Sequence, residues 1–210
     1  VDAEQIPITN VYSSFNAIDS IIIPYKSEKD AKMDAVIAIA DHDFTKGRPG
    51  GSLNNWSADA IFNQIAPRVK GEGPVMCLLN VGGLRSPINK GNVTLGDLYK
   101  LMPFDNEVVM VKLPITVLQD LEKYLRNSGG EPISGALIQS GKINFIQSVV
   151  NSKFFWVITS DYLLGGGDRM DFFTKNVEVR HTGVLMRELM ITEASEQERL
   201  LWNDELRISF

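Results

Sequence analysis

Histidine and cysteine are scarce in this sequence. Its 210 residues include two histidines, His42 and His181, and one cysteine, Cys77. A single cysteine excludes an internal disulfide and a cysteine-ligated zinc site. Two histidines cannot supply the imidazoles that a binuclear hydrolase centre usually takes. Long hydrophobic runs are missing as well. The longest, Val36–Ala40, Val75–Leu79 and Phe154–Ile158, are strand-sized and fall short of the roughly 18–20 residues that span a bilayer. Nor is there an excess of base: 21 Lys and Arg against 26 Asp and Glu give a formal charge of −5. That balance argues against a general binder of nucleic-acid polymers or anionic membranes.

What is present is ordinary for a soluble globular chain, 44% hydrophobic and 22% charged. One domain over 1–210 is expected, with an N-terminal arm and helix over 1–50 and a core over 51–210. The chain opens on Val1, as after removal of a leader or trimming. A strand or extended arm from Gln5 should lead into a helix around Asp19–Met33, although Pro24 sits inside it. Val36–Ala40 reads as a strand and Asp43–Gly51 as a loop carrying Lys46 and Arg48. Asn54 or Asn55 caps an expected helix to Ala66, with Trp56, Ala60, Ile61 and Ile65 on one face. Val75–Leu79 and Val108–Leu113 read as strands. Between them, Thr94 with Asp97 three residues on caps a short helix. Pro114 should start the next helix and Gly129-Gly130 stop it. Ile143–Val150 and Phe154–Ser160 read as strands, followed by a loop at Asp161–Asp168. A helix near Val184–Met190, a polar stretch over Glu196–Trp202 and a strand over Arg207–Phe210 complete the chain. Strands and helices mix without strict βαβ alternation, so the expected fold class is α+β, a mixed β-sheet packed with helices.

Three loops next to buried strands carry the candidate chemistry. In Asn80–Arg85, Gly82 and Gly83 let backbone N–H groups approach a ligand, and Arg85 offers a planar fork to a phosphate or sugar oxygen. In Pro103–Asn106, Phe104 can stack on a planar heterocycle while Asn106 donates to and accepts from its edge. In Asp161–Asp168, three glycines precede Asp168, whose carboxylate can accept from vicinal ribose hydroxyls, and Tyr162 adds a second aromatic face. Each has a plainer reading: a tight turn with a surface arginine, a Phe holding its loop to the core, a strand-end turn capped by Asp168. Taken singly, the plainer reading prevails for the first two. Together, two aromatics, an amide, an arginine and an acid are the parts of a nucleoside site, and a two-ring sandwich contributes roughly 1–3 kcal/mol per base.

The chain resembles the C-terminal, substrate-binding domain of 5′-nucleotidases. Asn54-Asn55-Trp56-Ser57-Ala58-Asp59-Ala60 is similar to that family's G-N-L-V-A-D-A, and Asn80-Val81-Gly82-Gly83-Leu84-Arg85 to its N-G-G-G-I-R. Gly91–Asp97 is similar to G-x-I-T-x-G-D, Pro103–Asn106 to P-F-G-N, and Gly166–Arg169 to G-G-D-G, with a Ser134-Gly135 pair between them. Order and spacing hold from Leu53 to Asp168. The resemblance implies that Phe104 and Tyr162 stack on the two faces of a base, that Asn106 contacts its edge and that Asp168 holds the ribose. It implies that Arg85 and Asn80 lie near ribose and phosphate. Lys46 and Arg48 fall in the region where the family carries phosphate-binding arginines, without a residue-by-residue match. There are departures: Val81, Asp105 and Arg169 each stand where the family has glycine. Asp105 is expected to add negative charge beside the pocket, and Arg169 to be placed to pair with Asp168.

The family's catalytic centre sits in a separate metallophosphoesterase domain with D-x-H, G-N-H-[DE] and G-H-x-H motifs, none of which occurs here. His42 and His181 are read as surface or loop histidines. The resemblance therefore implies a chain that is not catalytic alone and holds no cofactor itself. It would recognise a nucleoside or nucleotide and act in nucleotide catabolism with a metallophosphoesterase domain, on a separate chain or a missing segment, that carries the divalent metals. Two further readings stand beside it: a non-catalytic nucleoside-binding module, and a complete hydrolase with an unrecognised site. Relatives of this architecture are exported, so a periplasmic or cell-surface location, or lipid anchoring through a removed leader, is expected.

Overall fold

The computed structural model describes residues 16–147 and 152–210. In chain order the elements are α1 (Asn16–Met33), β1 (Val36–Ala40), α2 (Ser52–Ile65), β2 (Val75–Leu78), β3 (Gly91–Thr94), α3 (Leu95–Leu101), β4 (Glu107–Pro114), α4 (Leu118–Ser128), β5 (Ile133–Ser134), β6 (Ala136–Gln139), β7 (Lys142–Phe145), β8 (Phe154–Ser160), α5 (Asp161–Leu164), β9 (Glu178–Leu185) and α6 (Met186–Gln197). A five-stranded sheet in the order β5-β2-β8-β4-β9 forms the centre, with the pairs β1–β3 and β6–β7 beside it. β2 and β8 run parallel, while β4 is antiparallel to both β8 and β9. The sheet is mixed and the class is α+β.

Side chains of successive strand residues point to opposite faces, and this alternation divides the core in two. Cys77, Met110, Trp156 and Ile158 face a cluster that includes Trp56 and Ile61 of α2, Leu98 of α3 and Met190 of α6. Met76, Leu78, Val109, Val111, Phe155 and Val157 face a second cluster with Leu121 and Leu125 of α4. β2 is buried on both faces, which is why it reads as an unbroken apolar run. The Cys77 thiol is one of these buried groups, its pKa pushed up by burial. The C-terminal tail is fastened to α2: Arg207 pairs with Asp59 at 2.7 Å and also donates to the Ile133 carbonyl.

β1 and β8 match their expected bounds. Thr94 caps α3 through a full capping box with Asp97, whose carboxyl burial pushes up but the Thr94 and Lys100 hydrogen bonds more than bring back down. α4 ends at Gly129 in the left-handed conformation that an αL cap requires. Other expectations are corrected. Pro114 closes β4, and α4 begins at Leu118 after a single 3₁₀ turn. The expected helix near Val184–Met190 is β9 up to Leu185 and helix from Met186. β9 is an edge strand with partly exposed residues, so no burial period marks it in sequence. The expected loop after β8 begins with one helical turn capped by the Ser160 hydroxyl. The terminal strand reduces to an isolated bridge between Ile208 and Ile138. The arm from Gln5 and the end of the expected strand Ile143–Val150 lie outside the described residues; β7 itself ends at Phe145.

Candidate functional site

Sheet topology brings the three Gly- and Asn-bearing loops to one end of the molecule. β2 and β8 are parallel, so their C-terminal ends coincide. β4 runs the other way, with Val108 opposite Ser160, so its N-terminal end joins them. Asn80–Arg85 leaves β2, Pro103–Asn106 enters β4, and Tyr162–Asp168 follows β8. Eight side chains or backbones from these loops line one cleft of about 280 Å³: Asn80, Gly82, Gly83, Arg85, Phe104, Asn106, Tyr162 and Asp168. Every residue singled out in sequence for this site lines it.

Two half-exposed rings flank the opening. Phe104 is 43% and Tyr162 48% exposed, and neither ring stacks on another aromatic among the described residues. Leaving two large aromatics this open sacrifices burial unless something covers them. The Asn106 carbonyl accepts from the Met186 N–H at 2.9 Å, while its side-chain amide has no protein partner among the described residues and keeps both donor and acceptor available.

Asp168 is the electrostatic centre. One carboxylate oxygen accepts from the Asn80 amide at 2.6 Å and the other from the Tyr162 hydroxyl at 3.0 Å. A carboxylate has about four acceptor positions, so about two remain for a ligand. The Tyr162 phenol is held above its usual range by that hydrogen bond and by the negative charge of Asp168. Asp168 itself has φ 51°, in the left-handed region that non-glycine residues rarely adopt. Gly167 is required for a different reason: a Cβ there would lie 2.5 Å from the Tyr162 ring and 2.6 Å from its carbonyl oxygen. Arg85 donates to the Gly82 carbonyl at 3.2 Å and its exposed fork stands over the adjacent glycines.

Behind the cleft lies a support that sequence reasoning missed. Glu131 is 2% exposed, accepts from the Val81 N–H at 2.8 Å and pairs with Arg48 at 2.8 Å. Tyr124 donates to the Asp168 carbonyl at 3.2 Å, and burial, with the charges of Glu131 and Asp168, pushes its phenol up to about 12. No local pattern announces Glu131, because its partners are 50 and more residues away. Arg48 is therefore engaged by Glu131 and by the carbonyls of Ser128 and Gly130, and Lys46 by the Leu84 carbonyl at 2.5 Å. Neither lines the cleft.

Two expectations about charge are corrected. Asp105 does not lend its charge to the cleft: it pairs with Arg187 and is absent from the lining. Arg169 does not pair with Asp168, whose side-chain partners are Asn80 and Tyr162; it turns instead to a neighbouring groove that it lines with Lys123 and Tyr124. The histidines lie apart. His42 stacks on Trp202 at 4.9 Å, and His181 bonds Glu107, which together with the Gly183 N–H holds that carboxyl below its usual range. Among the described residues no three His, Cys, Asp or Glu side chains gather in a way that fits a metal ion, and no helix is long and apolar enough to cross a membrane.

Residues 35–123 match the family model described as 5′-nucleotidase, C-terminal domain. The chain is 32% identical over 105 residues to the NAD 5′-nucleotidase of Haemophilus influenzae, covering 45% of this chain and 17% of that relative. It is 30% identical over 132 residues to a probable 5′-nucleotidase of Treponema pallidum, covering 57% of this chain and 22% of that relative. Among solved structures, a 5′-nucleotidase precursor from Thermus thermophilus superposes with TM-score 0.74 at 20% identity, over 92% of this chain and 43% of that one. The Haemophilus influenzae NAD nucleotidase superposes with TM-score 0.68 at 20% identity, over 93% of this chain and 41% of that one. At such identities the likeness is one of fold. The chain spans less than half the length of either structure.

Proposed function

Because this chain carries the C-terminal domain of the 5′-nucleotidase family, we propose that its cleft recognises the nucleoside part of a nucleotide. The convergence of Phe104, Asn106, Tyr162 and Asp168 on one opening supports this reading. The base enters between the Phe104 and Tyr162 rings, the free Asn106 amide reads its edge, and Asp168 accepts from ribose hydroxyls. Arg85 faces the sugar or phosphate from the floor, where Gly82 and Gly83 let the backbone come close. Asn80 holds Asp168 in place.

The chain binds and orients, and hydrolysis of the phosphate ester takes place with a metallophosphoesterase domain that supplies the divalent metals. That the chain spans under half of its structural relatives is what favours a split or longer parent protein. The likeness to 5′-nucleotidases, not the coverage, supports a setting outside the cytoplasm, in a periplasm or at a cell surface, as part of nucleotide catabolism. A second reading, a nucleoside-binding module without a hydrolytic partner, shares the cleft and differs in showing no gain when a cognate phosphoesterase is added.

Isothermal titration of adenosine and AMP tests the proposal. Binding is expected for both, with Phe104→Ala and Tyr162→Ala each weakening it by about 10- to 100-fold, the worth of one stacking face. No heat of binding at millimolar adenosine or AMP would refute it.

A further inference from the structure

The two aromatic faces of the cleft are anchored very differently, and the anchor of Phe104 lies outside every motif considered above. Arg187, in the first turn of α6, is a buried arginine with its side chain 10% exposed. Its guanidinium donates to the Met102 carbonyl at 3.1 Å and the Phe104 carbonyl at 3.3 Å, so it grips the backbone on both sides of Pro103. It pairs with the Asp105 carboxylate, whose side chain is 75% exposed. Its remaining face lies over the Tyr99 ring at 4.3 Å. Next to it, the Met186 N–H holds the Asn106 carbonyl. A fork with five donors in fixed geometry can satisfy this set of acceptors; a lysine ammonium cannot do so with the same directionality.

We propose that Arg187 is a positioning residue for the nucleoside cleft: it pins the Pro103–Asn106 segment to α6 and so fixes the face that Phe104 presents to a base. The Phe104 ring itself is half in solvent with no aromatic neighbour among the described residues, so its position is set through the backbone that carries it. Asp105 belongs to the same device. Where the resembling family has glycine, this chain has an acid, and the acid is spent on the pin instead of on the cleft. The inference deepens the function proposed above and rests on it for the identity of the ligand, but not for the pinning itself.

Three variants of the whole chain decide it: Asp105→Ala, Asp105→Glu and Arg187→Lys. Each is followed by amide hydrogen exchange of residues 104–108 without ligand, by thermal melting, and by titration with adenosine. Asp105 is largely in solvent, so Asp105→Ala leaves the fold intact and serves where Arg187→Lys proves unstable. Asp105→Ala is expected to speed exchange in 104–108 about 5-fold or more, with other segments unchanged, and to weaken adenosine about 3- to 10-fold. Asp105→Glu, which keeps the carboxylate, is expected to restore most of both. Arg187→Lys is expected to exceed Asp105→Ala in both readouts, because it also releases the two carbonyls. Unchanged exchange in Asp105→Ala and Arg187→Lys overturns the inference. Faster exchange with unaltered adenosine affinity overturns it too, since the segment would then be loose without consequence for the base. A parent chain that binds no nucleoside overturns the proposed function instead, and the exchange measurement still decides whether Arg187 pins the segment.

Discussion

The two walls of the cleft hold similar aromatics by different means. The Pro103–Asn106 wall is held from outside, by a buried guanidinium on α6 that binds its Phe104 carbonyl, the Met102 carbonyl just before it and its acid. None of its four residues has positive φ. The Tyr162–Arg169 wall is held from within. Tyr162 bonds Asp168, Asp168 bonds Asn80, Gly167 leaves no room for a Cβ, and Gly166, Asp168 and Arg169 all take positive φ. Backbone in that region costs on the order of 1–3 kcal/mol per non-glycine residue and persists only where surroundings over-determine it. The first wall thus depends on α6, through Arg187 and the Met186 N–H, and little on its own residues, while the second depends mostly on its own residues, helped by Asn80 and the Tyr124 hydroxyl.

The largest effect should come from beneath the second wall. Glu131 holds the Val81 N–H and so the loop that carries Asn80 to Asp168. Glu131→Gln keeps an acceptor for Val81 but leaves Arg48 without its counter-ion. Breaking a buried pair costs about 3–5 kcal/mol, and the lower end, about 3 kcal/mol, applies here because Arg48 can rehydrate. The melting temperature should fall accordingly, and adenosine affinity should fall with it. Amide exchange at 104–108 should stay at the parent rate once the difference in global stability is removed. A specific rise there would erase the distinction between the walls.

Gly167→Ala is the next in size. The added Cβ meets both the Tyr162 ring and its backbone carbonyl, and backbone cannot swing aside as a side chain does. Overpacking of this kind costs about 1–3 kcal/mol. Its expected signature is a loss of adenosine binding comparable to Tyr162→Ala, from a variant that keeps every side chain proposed to touch the base. Parent-like affinity would mean that the second wall tolerates displacement, and that its internal bonds do not set the position of Tyr162.

The contrast also explains what was legible in the sequence. The second wall is largely written locally: three glycines, an acid and an aromatic lie within eight residues and Tyr162 bonds Asp168 six residues on, so the sequence pattern carries most of the geometry, although Asp168 also meets Asn80 and Tyr124 across 88 and 44 residues of chain. The first wall shows its aromatic and amide but not its anchor, because Met102 to Asp105 meet Arg187 across 82 to 85 residues of chain. Glu131 was hidden for the same reason. The fold follows this rule too. β8 is apolar and central, begins with its apolar run and ends two residues after it; β9 is an edge strand whose Arg180 and His181 reach the acids Glu72, Glu178 and Glu107, so it shows no alternation to read.

The smallest effect separates the walls by pH. The Tyr162–Asp168 bond exists only while the phenol keeps its proton, and that bond and the neighbouring charge raise the folded-state pKa above the usual tyrosine value of about 10. A group with a raised folded pKa contributes its stability fully below the unfolded value and loses it as pH rises through the folded one. Adenosine affinity should therefore be level from neutral pH to about 9 and decline above about 10. Tyr162→Phe should begin about 2- to 5-fold weaker, having lost one hydrogen bond, and should lack this part of the decline. A Tyr124→Phe control removes the other phenol that touches residue 168. The first wall should ignore the change, because an arginine keeps its proton throughout this range; exchange at 104–108, corrected for the intrinsic rate at each pH, should stay level. An equal alkaline decline in Tyr162→Phe would place the sensitive group elsewhere and leave the Tyr162 ring held by packing at Gly167, not by its bond to Asp168.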